Sequence, residues 1–174
     1  TMTDHHLAEH LEESVRPNTR FIFFETPTNP TIKVVDIPAV VEFAGKKKIL
    51  TVMDNTFASP INQKPLEMGV DIVYHSATKY LGGHDDLTAG VVIGPSEMLK
   101  NVKRYRTYIG GSLDPQTAWL LGRGVKTLDV RIERHNRNAM ELAKFLSRHP
   151  KVKRVWYPGL ESSPFHAPAK KQMS

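Results

Sequence analysis

A chain of 174 residues with 40% apolar side chains has room for one packed domain, or one domain and part of a second, and is too apolar to be disordered by composition. Its 24 basic and 18 acidic side chains leave a net charge of +6, yet no nucleic-acid-binding motif accompanies the excess, and the basic residues are spread over several helical segments. No apolar run approaches the roughly 20 residues of a membrane span, and the lack of cysteine excludes disulfides, thiolate metal sites and cysteine nucleophiles.

Asp4 to Ser14 carries Leu7, Leu11 and Val15 at four-residue spacing after an aspartate, which predicts a short amphipathic helix. No basic-then-apolar leader precedes it, so nothing is expected to address the chain for secretion. Phe21-Ile22-Phe23-Phe24 is short and apolar throughout, the pattern of a buried strand. It runs into Glu25-Thr26-Pro27-Thr28-Asn29-Pro30, where two prolines forbid regular structure and leave a fixed loop. Asp36 is placed to cap a helix through about Lys47, with the cations of Lys46-Lys47-Lys48 complementing the end of its dipole. Ile49 to Met53 reads as a second buried strand ending at Asp54, Gly69 to Ala77 as a third, and Gly90 to Gly94 as a fourth.

Ser96 opens a basic helix to about Tyr108. Asp114-Pro115 starts another, with proline at a tolerated first-turn position. Helical periodicity then continues to about His149, with Gly122-Arg123-Gly124 the expected bend or domain boundary. Val152 to Tyr157 reads as a strand and Ala167 to Met173 as the start of a helix. Strands alternating with helices point to an α/β fold with a mostly parallel sheet, and such sheets bind ligands at the carboxyl ends of their strands. Residues 1–123 form one unit in this reading, and 124–174 open a second, incomplete α/β unit.

Three loops at strand ends carry the chemistry. Ser76-Ala77-Thr78-Lys79-Tyr80 offers an amine flanked by two hydroxyls, Asp54-Asn55-Thr56 offers a carboxylate, and Glu25–Pro30 completes the set. Pyridoxal phosphate needs an amine to attach to, an acid that keeps its pyridine nitrogen protonated, and neutral donors for its phosphate. Lys79, Asp54, and Ser76 with Thr78 can supply these. The bland alternatives are a surface lysine, a turn aspartate and capping hydroxyls. His84-Asp85-Asp86 has no second histidine at ligand spacing and reads as a solvated loop, so no metal is expected. Gly82-Gly83 and Gly110-Gly111 do not match a dinucleotide fingerprint.

With these residues in hand, the chain resembles the Cys/Met-metabolism family of pyridoxal phosphate enzymes, which includes cystathionine and methionine lyases, cystathionine γ-synthase and O-acetylhomoserine sulfhydrylase. The resemblance runs through Glu25–Pro30, Val52–Phe57, His75–Tyr80, Gly82-Gly83-His84-Asp85, Gly124–Leu128 with Arg131, and Tyr157-Pro158-Gly159-Leu160. It implies part of the large cofactor-binding domain of a fold-type I (aspartate aminotransferase-like) enzyme, followed by the start of a smaller C-terminal domain.

The resemblance also implies that Lys79 holds the cofactor as a Schiff base and Asp54 pairs with its ring nitrogen. Ser76 and Thr78 would meet its phosphate, and Asn29 would reach its phenolic oxygen or the substrate carboxylate. It implies further a cytoplasmic homotetramer, a dimer of active dimers, acting on a small sulfur amino acid. The expected reaction is γ-elimination on cystathionine or methionine, with γ-replacement as the alternative. Family members are longer at both ends and bring a glycine-rich phosphate loop, a stacking tyrosine and a carboxylate-binding arginine. The chain is therefore expected to be a partial one, for which a purely structural role is the competing reading.

Overall fold

The computed structural model describes residues 7–173. The first helix, α1, spans Leu7–Ser14; the start expected at Asp4 lies outside the described residues. Three parallel strands follow: β1 (Phe21–Glu25), β2 (Leu50–Asp54) and β3 (Ile72–Ser76). A fourth, β4 (Gly90–Ile93), runs antiparallel, and the sheet order is β1-β2-β3-β4.

Between β1 and β2, α2 (Ile37–Lys47) begins where the sequence places it. The Asp36 carboxylate accepts from the Ala39 backbone N–H at 3.0 Å, and the helix ends at Lys48 in the left-handed conformation. The register is locked at the amino ends of β2 and β3. Asp71 Oδ2 accepts from both the backbone N–H and the hydroxyl of Thr51 at 2.8 Å, and the Asp71 N–H returns a bond to Thr51 Oγ1.

Side chains alternate across a strand. Ile22, Phe24, Met53 and Val73 share one face, which packs on Ile37, Val40 and Ala44 of α2 and on Leu11 of α1 to make the main core. The other face carries Phe21, Phe23, Leu50 and, at its ends, Glu25, Asp54 and Ser76. Phe21 and Phe23 are 57% and 56% exposed, so the expectation of a strand buried throughout is corrected to one buried on a single face. The apolar run is real, but among the described residues nothing covers its second side.

The chain between β2 and β3 forms a short helix, α3 (Ser59–Asn62), and a single 3₁₀ turn at Pro65–Met68. After β4 come α4 (Ser96–Ile109), α5 (Pro115–Val125), α6 (Leu128–Ser147) and α7 (His166–Gln172). Asp114 caps α5 through the N–H groups of Gln116 and Thr117.

The break between α5 and α6 falls at Lys126–Thr127, just beyond the expected Gly122-Arg123-Gly124. Gly124 serves close packing instead. A Cβ there would lie 2.3 Å from the Gly82 carbonyl oxygen. The strand expected over Val152–Tyr157 is irregular chain. A lone strand leaves its backbone groups unpaired, and no neighbouring strand among the described residues offers them partners.

Candidate active site

The carboxyl ends of β1, β2 and β3 converge on one side of the sheet. Pairing in register sets Glu25 beside Asp54 and Asp54 beside Tyr74, all on the face opposite the main core. A cavity of about 520 Å³ opens there, and its wall includes all five residues singled out from the sequence: Asn29, Asp54, Ser76, Thr78 and Lys79. A larger cavity of about 1090 Å³ lies between α6 and the C-terminal segment. It shares Phe57, Tyr80 and His135 with the first but contains none of those five. The five residues thus line the smaller one together.

Local hydrogen bonds set each group. Asp54 Oδ1 accepts from the Thr56 N–H at 2.8 Å, which fixes the carboxylate plane and leaves Oδ2 without a partner among the described residues. The Thr56 hydroxyl accepts from the Ser76 N–H at 2.8 Å and so ties the end of β2 to the end of β3. Lys79 sits in a turn closed by its own N–H to the Ser76 carbonyl and by the Gly83 N–H to the Lys79 carbonyl. Its amine is exposed and makes no ion pair among the described residues.

The two hydroxyls differ. Thr78 Oγ1 accepts from the Ala89 N–H at 3.0 Å and lies 3.3 Å from the Ala89 carbonyl, so it serves to anchor β4. The Ser76 hydroxyl has no such partner among the described residues. Asn29 is exposed at the cavity rim, with its N–H bonded to Glu25 Oε2 at 3.1 Å.

Two titratable groups near Asp54 are perturbed. Burial raises the Glu25 carboxyl above its ordinary value. The Asn29 N–H bond opposes that rise, and the Asp54 charge adds to it. His75, on the core face and 1% exposed, is lowered by burial, with the Asp54 charge pulling the other way. Its Nδ1 has no hydrogen-bond partner among the described residues. A cavity holding an unpaired amine, a half-satisfied carboxylate and a free hydroxyl has the donor set that a phosphorylated pyridine aldehyde requires.

The family model for the Cys/Met metabolism PLP-dependent enzymes matches residues 1–174. The chain belongs to that family. Cystathionine beta-lyase of Coxiella burnetii is 50% identical over 165 residues, which cover 94% of this chain and 43% of the relative. L-methionine gamma-lyase of Porphyromonas gingivalis is 46% identical over 177 residues, covering 100% and 44%. The crystal structure of cystathionine gamma-lyase from Lactobacillus plantarum complexed with L-serine superposes with a TM-score of 0.96 at 42% identity, covering 100% of this chain and 46% of that one. The chain thus spans about half the length of the curated relatives it matches. The α/β, mostly parallel fold expected from the sequence is that of part of a fold-type I pyridoxal phosphate enzyme.

Glu25, His135 and Arg131 are among the residues of the cavity wall to which the sequence alone assigns no role. In the sequence Glu25 is only the edge of a loop motif, although its position at the end of β1 matches that of Asp54 at the end of β2. His135 comes from α6 and meets the Tyr80 ring edge-on at 5.7 Å between centroids. Arg131, also from α6, stands in the sequence only as a motif member with no assigned role.

Proposed function

We propose that the protein containing this chain is a pyridoxal phosphate enzyme of sulfur amino-acid metabolism, acting by γ-elimination on cystathionine or methionine. The observation that carries this reading is the meeting of the Lys79 amine, the Asp54 carboxylate and the Ser76 hydroxyl in one cavity at the sheet's carboxyl edge. When bound, pyridoxal phosphate supplies an electron sink for a carbanion at the substrate Cα.

Everything else falls to the protein. Lys79 would hold the cofactor through its Nζ, and the same amine, once free, would be placed to take the substrate Cα proton and carry it along the substrate. Asp54 Oδ2 would hold a proton on the ring nitrogen through a charge-assisted hydrogen bond, which strengthens such a sink. Ser76 would donate to the phosphate, Thr78 shapes the turn that presents it, and Asn29 at the rim would orient the cofactor's phenolic oxygen or the substrate carboxylate.

We assign the whole protein to the cytoplasm as a homotetramer. The open sheet face bearing Phe21 and Phe23, and the exposed Tyr105, Tyr108 and Ile109 of α4, support burial against further protein. The test is turnover. The whole protein, loaded with cofactor, should release a keto acid and ammonia from cystathionine or methionine, and Lys79→Ala should release none. Formation of a thioether from an activated homoserine and a thiol, without elimination, would replace this reaction with γ-replacement.

A further inference from the structure

Arg131 lies in the first turn of α6, yet its guanidinium reaches back about 50 residues to the turn that carries Lys79. Nη1 donates to the Tyr80 carbonyl at 2.8 Å, and Nη2 to the Gly124 carbonyl at 2.8 Å and the Leu81 carbonyl at 3.5 Å. Nε donates to Thr127 Oγ1 at 3.1 Å. No carboxylate among the described residues pairs with it, so its hydrogen bonds go to three main-chain carbonyls and one threonine hydroxyl.

Two glycines make room for this arrangement. Gly83 stands at φ +76°, and a Cβ there would fall 2.1 Å from Arg131 Nη1. Gly124 lets the end of α5 touch the Gly82 carbonyl. The consequence for Lys79 is specific. Its own carbonyl is held by the Gly83 N–H, and the next two carbonyls are held by one planar, rigid fork.

A lysine that both attaches a cofactor and moves a proton must swing its side chain while its backbone stays in place. We propose that Arg131 is a positioning residue for Lys79, the guanidinium fixing the 79–83 turn so that the amine returns to one place in the cavity. This inference rests on the reading of Lys79 given under the proposed function. Arg131 shares the cavity wall with Lys79, but its guanidinium bonds go to the Thr127 hydroxyl and the Tyr80, Leu81 and Gly124 carbonyls, so it acts through the backbone.

The experiment uses the whole, cofactor-loaded protein and compares the parent with Arg131→Lys, Arg131→Met and Gly83→Ala. The readouts are kcat and KM separately, the pH midpoint of the cofactor's visible absorption when it is joined to Lys79, and the thermal midpoint. Displacement of a catalytic group by about 1 Å costs on the order of 100-fold in rate. Arg131→Met should therefore lower kcat by roughly that factor with KM nearly unchanged and should move the absorption midpoint. Arg131→Lys keeps the charge but cannot span diverging carbonyls, so it recovers only part of the loss. Gly83→Ala, which presses on the same fork, shifts the midpoint in the same direction.

A lowered thermal midpoint with unchanged kcat and absorption midpoint means that Arg131 is only structural, and overturns the proposal. If Arg131→Met fails to fold, Arg131→Lys and Gly83→Ala decide on the same criteria. A parent protein that never joins the cofactor to Lys79 overturns both the functional reading and this inference. A parent that does so, with variants identical to it, overturns the inference alone.

Discussion

Gln63, 1% exposed, is the hub of a buried amide network that spans the chain. Its Nε2 donates to the Thr26 carbonyl at 3.0 Å and to Asn55 Oδ1 at 2.9 Å, and its Oε1 accepts from Gln172 Nε2 at 3.3 Å. Gln172 in turn donates to the Val35 carbonyl at 2.9 Å and accepts from the Ile37 N–H at 3.2 Å. Replacing Gln63 with leucine preserves volume but orphans two buried acceptors, the Thr26 carbonyl and Asn55 Oδ1. Each orphan costs about 1–3 kcal/mol, so the loss should be about 2–6 kcal/mol, a large share of the roughly 5–15 kcal/mol that holds a domain folded. With a urea slope of about 2 kcal/mol/M, the midpoint falls by about 1–3 M with the slope unchanged. Gln172→Leu on the same background should be non-additive, because the two amides share a bond. A midpoint shift below about 0.3 M for Gln63→Leu would refute the network as a source of stability. Since Thr26 adjoins Glu25 and Asn55 adjoins Asp54, the same change should also loosen the two carboxylates at the strand ends.

Gly124→Ala should cost about 2 kcal/mol or more, read as a drop of several degrees in thermal midpoint, since its Cβ meets the main-chain Gly82 oxygen at 2.3 Å and that atom cannot step aside. An unchanged midpoint would mean that α5 and the Lys79 turn are not in close contact. His75 gives a pH dependence with a definite sign. Burial holds it below its ordinary 6.5, so as pH falls the unfolded chain takes up a proton that the folded protein refuses. The stability contributed by neutral His75 is present above about pH 6.5 and is lost below it. His75→Phe should keep more of its neutral-pH thermal midpoint at acid pH than the parent does; equal losses in the two proteins contradict the assignment.

The strand ends were legible because short apolar runs stopped at Glu25 and Asp54 and the third expected strand, Gly69 to Ala77, ended just before Lys79, and carboxyl ends of parallel strands lie together whatever the intervening helices do. That is why all five expected residues share one cavity. Local pattern does not record what covers a face, so Phe21 and Phe23 read as buried although their side of β1 is open. Nor does it record whether a strand finds a neighbour, and Val152–Tyr157 has none among the described residues. Arg131 was visible only as a motif member, because its partners at Tyr80 and Leu81 are set by how α6 folds back on the sheet. Glu25 was the recoverable miss, since aligning the ends of β1 and β2 already places it beside Asp54.

The most direct test of the site is to add pyridoxal phosphate to the whole protein, reduce with borohydride, and locate the added mass by peptide mapping. A single phosphopyridoxyl group on Lys79, lost in Lys79→Ala, is the predicted result. A folded protein that takes up no label, or spreads it over surface lysines such as Lys100 and Lys103, contradicts the assignment of this cavity.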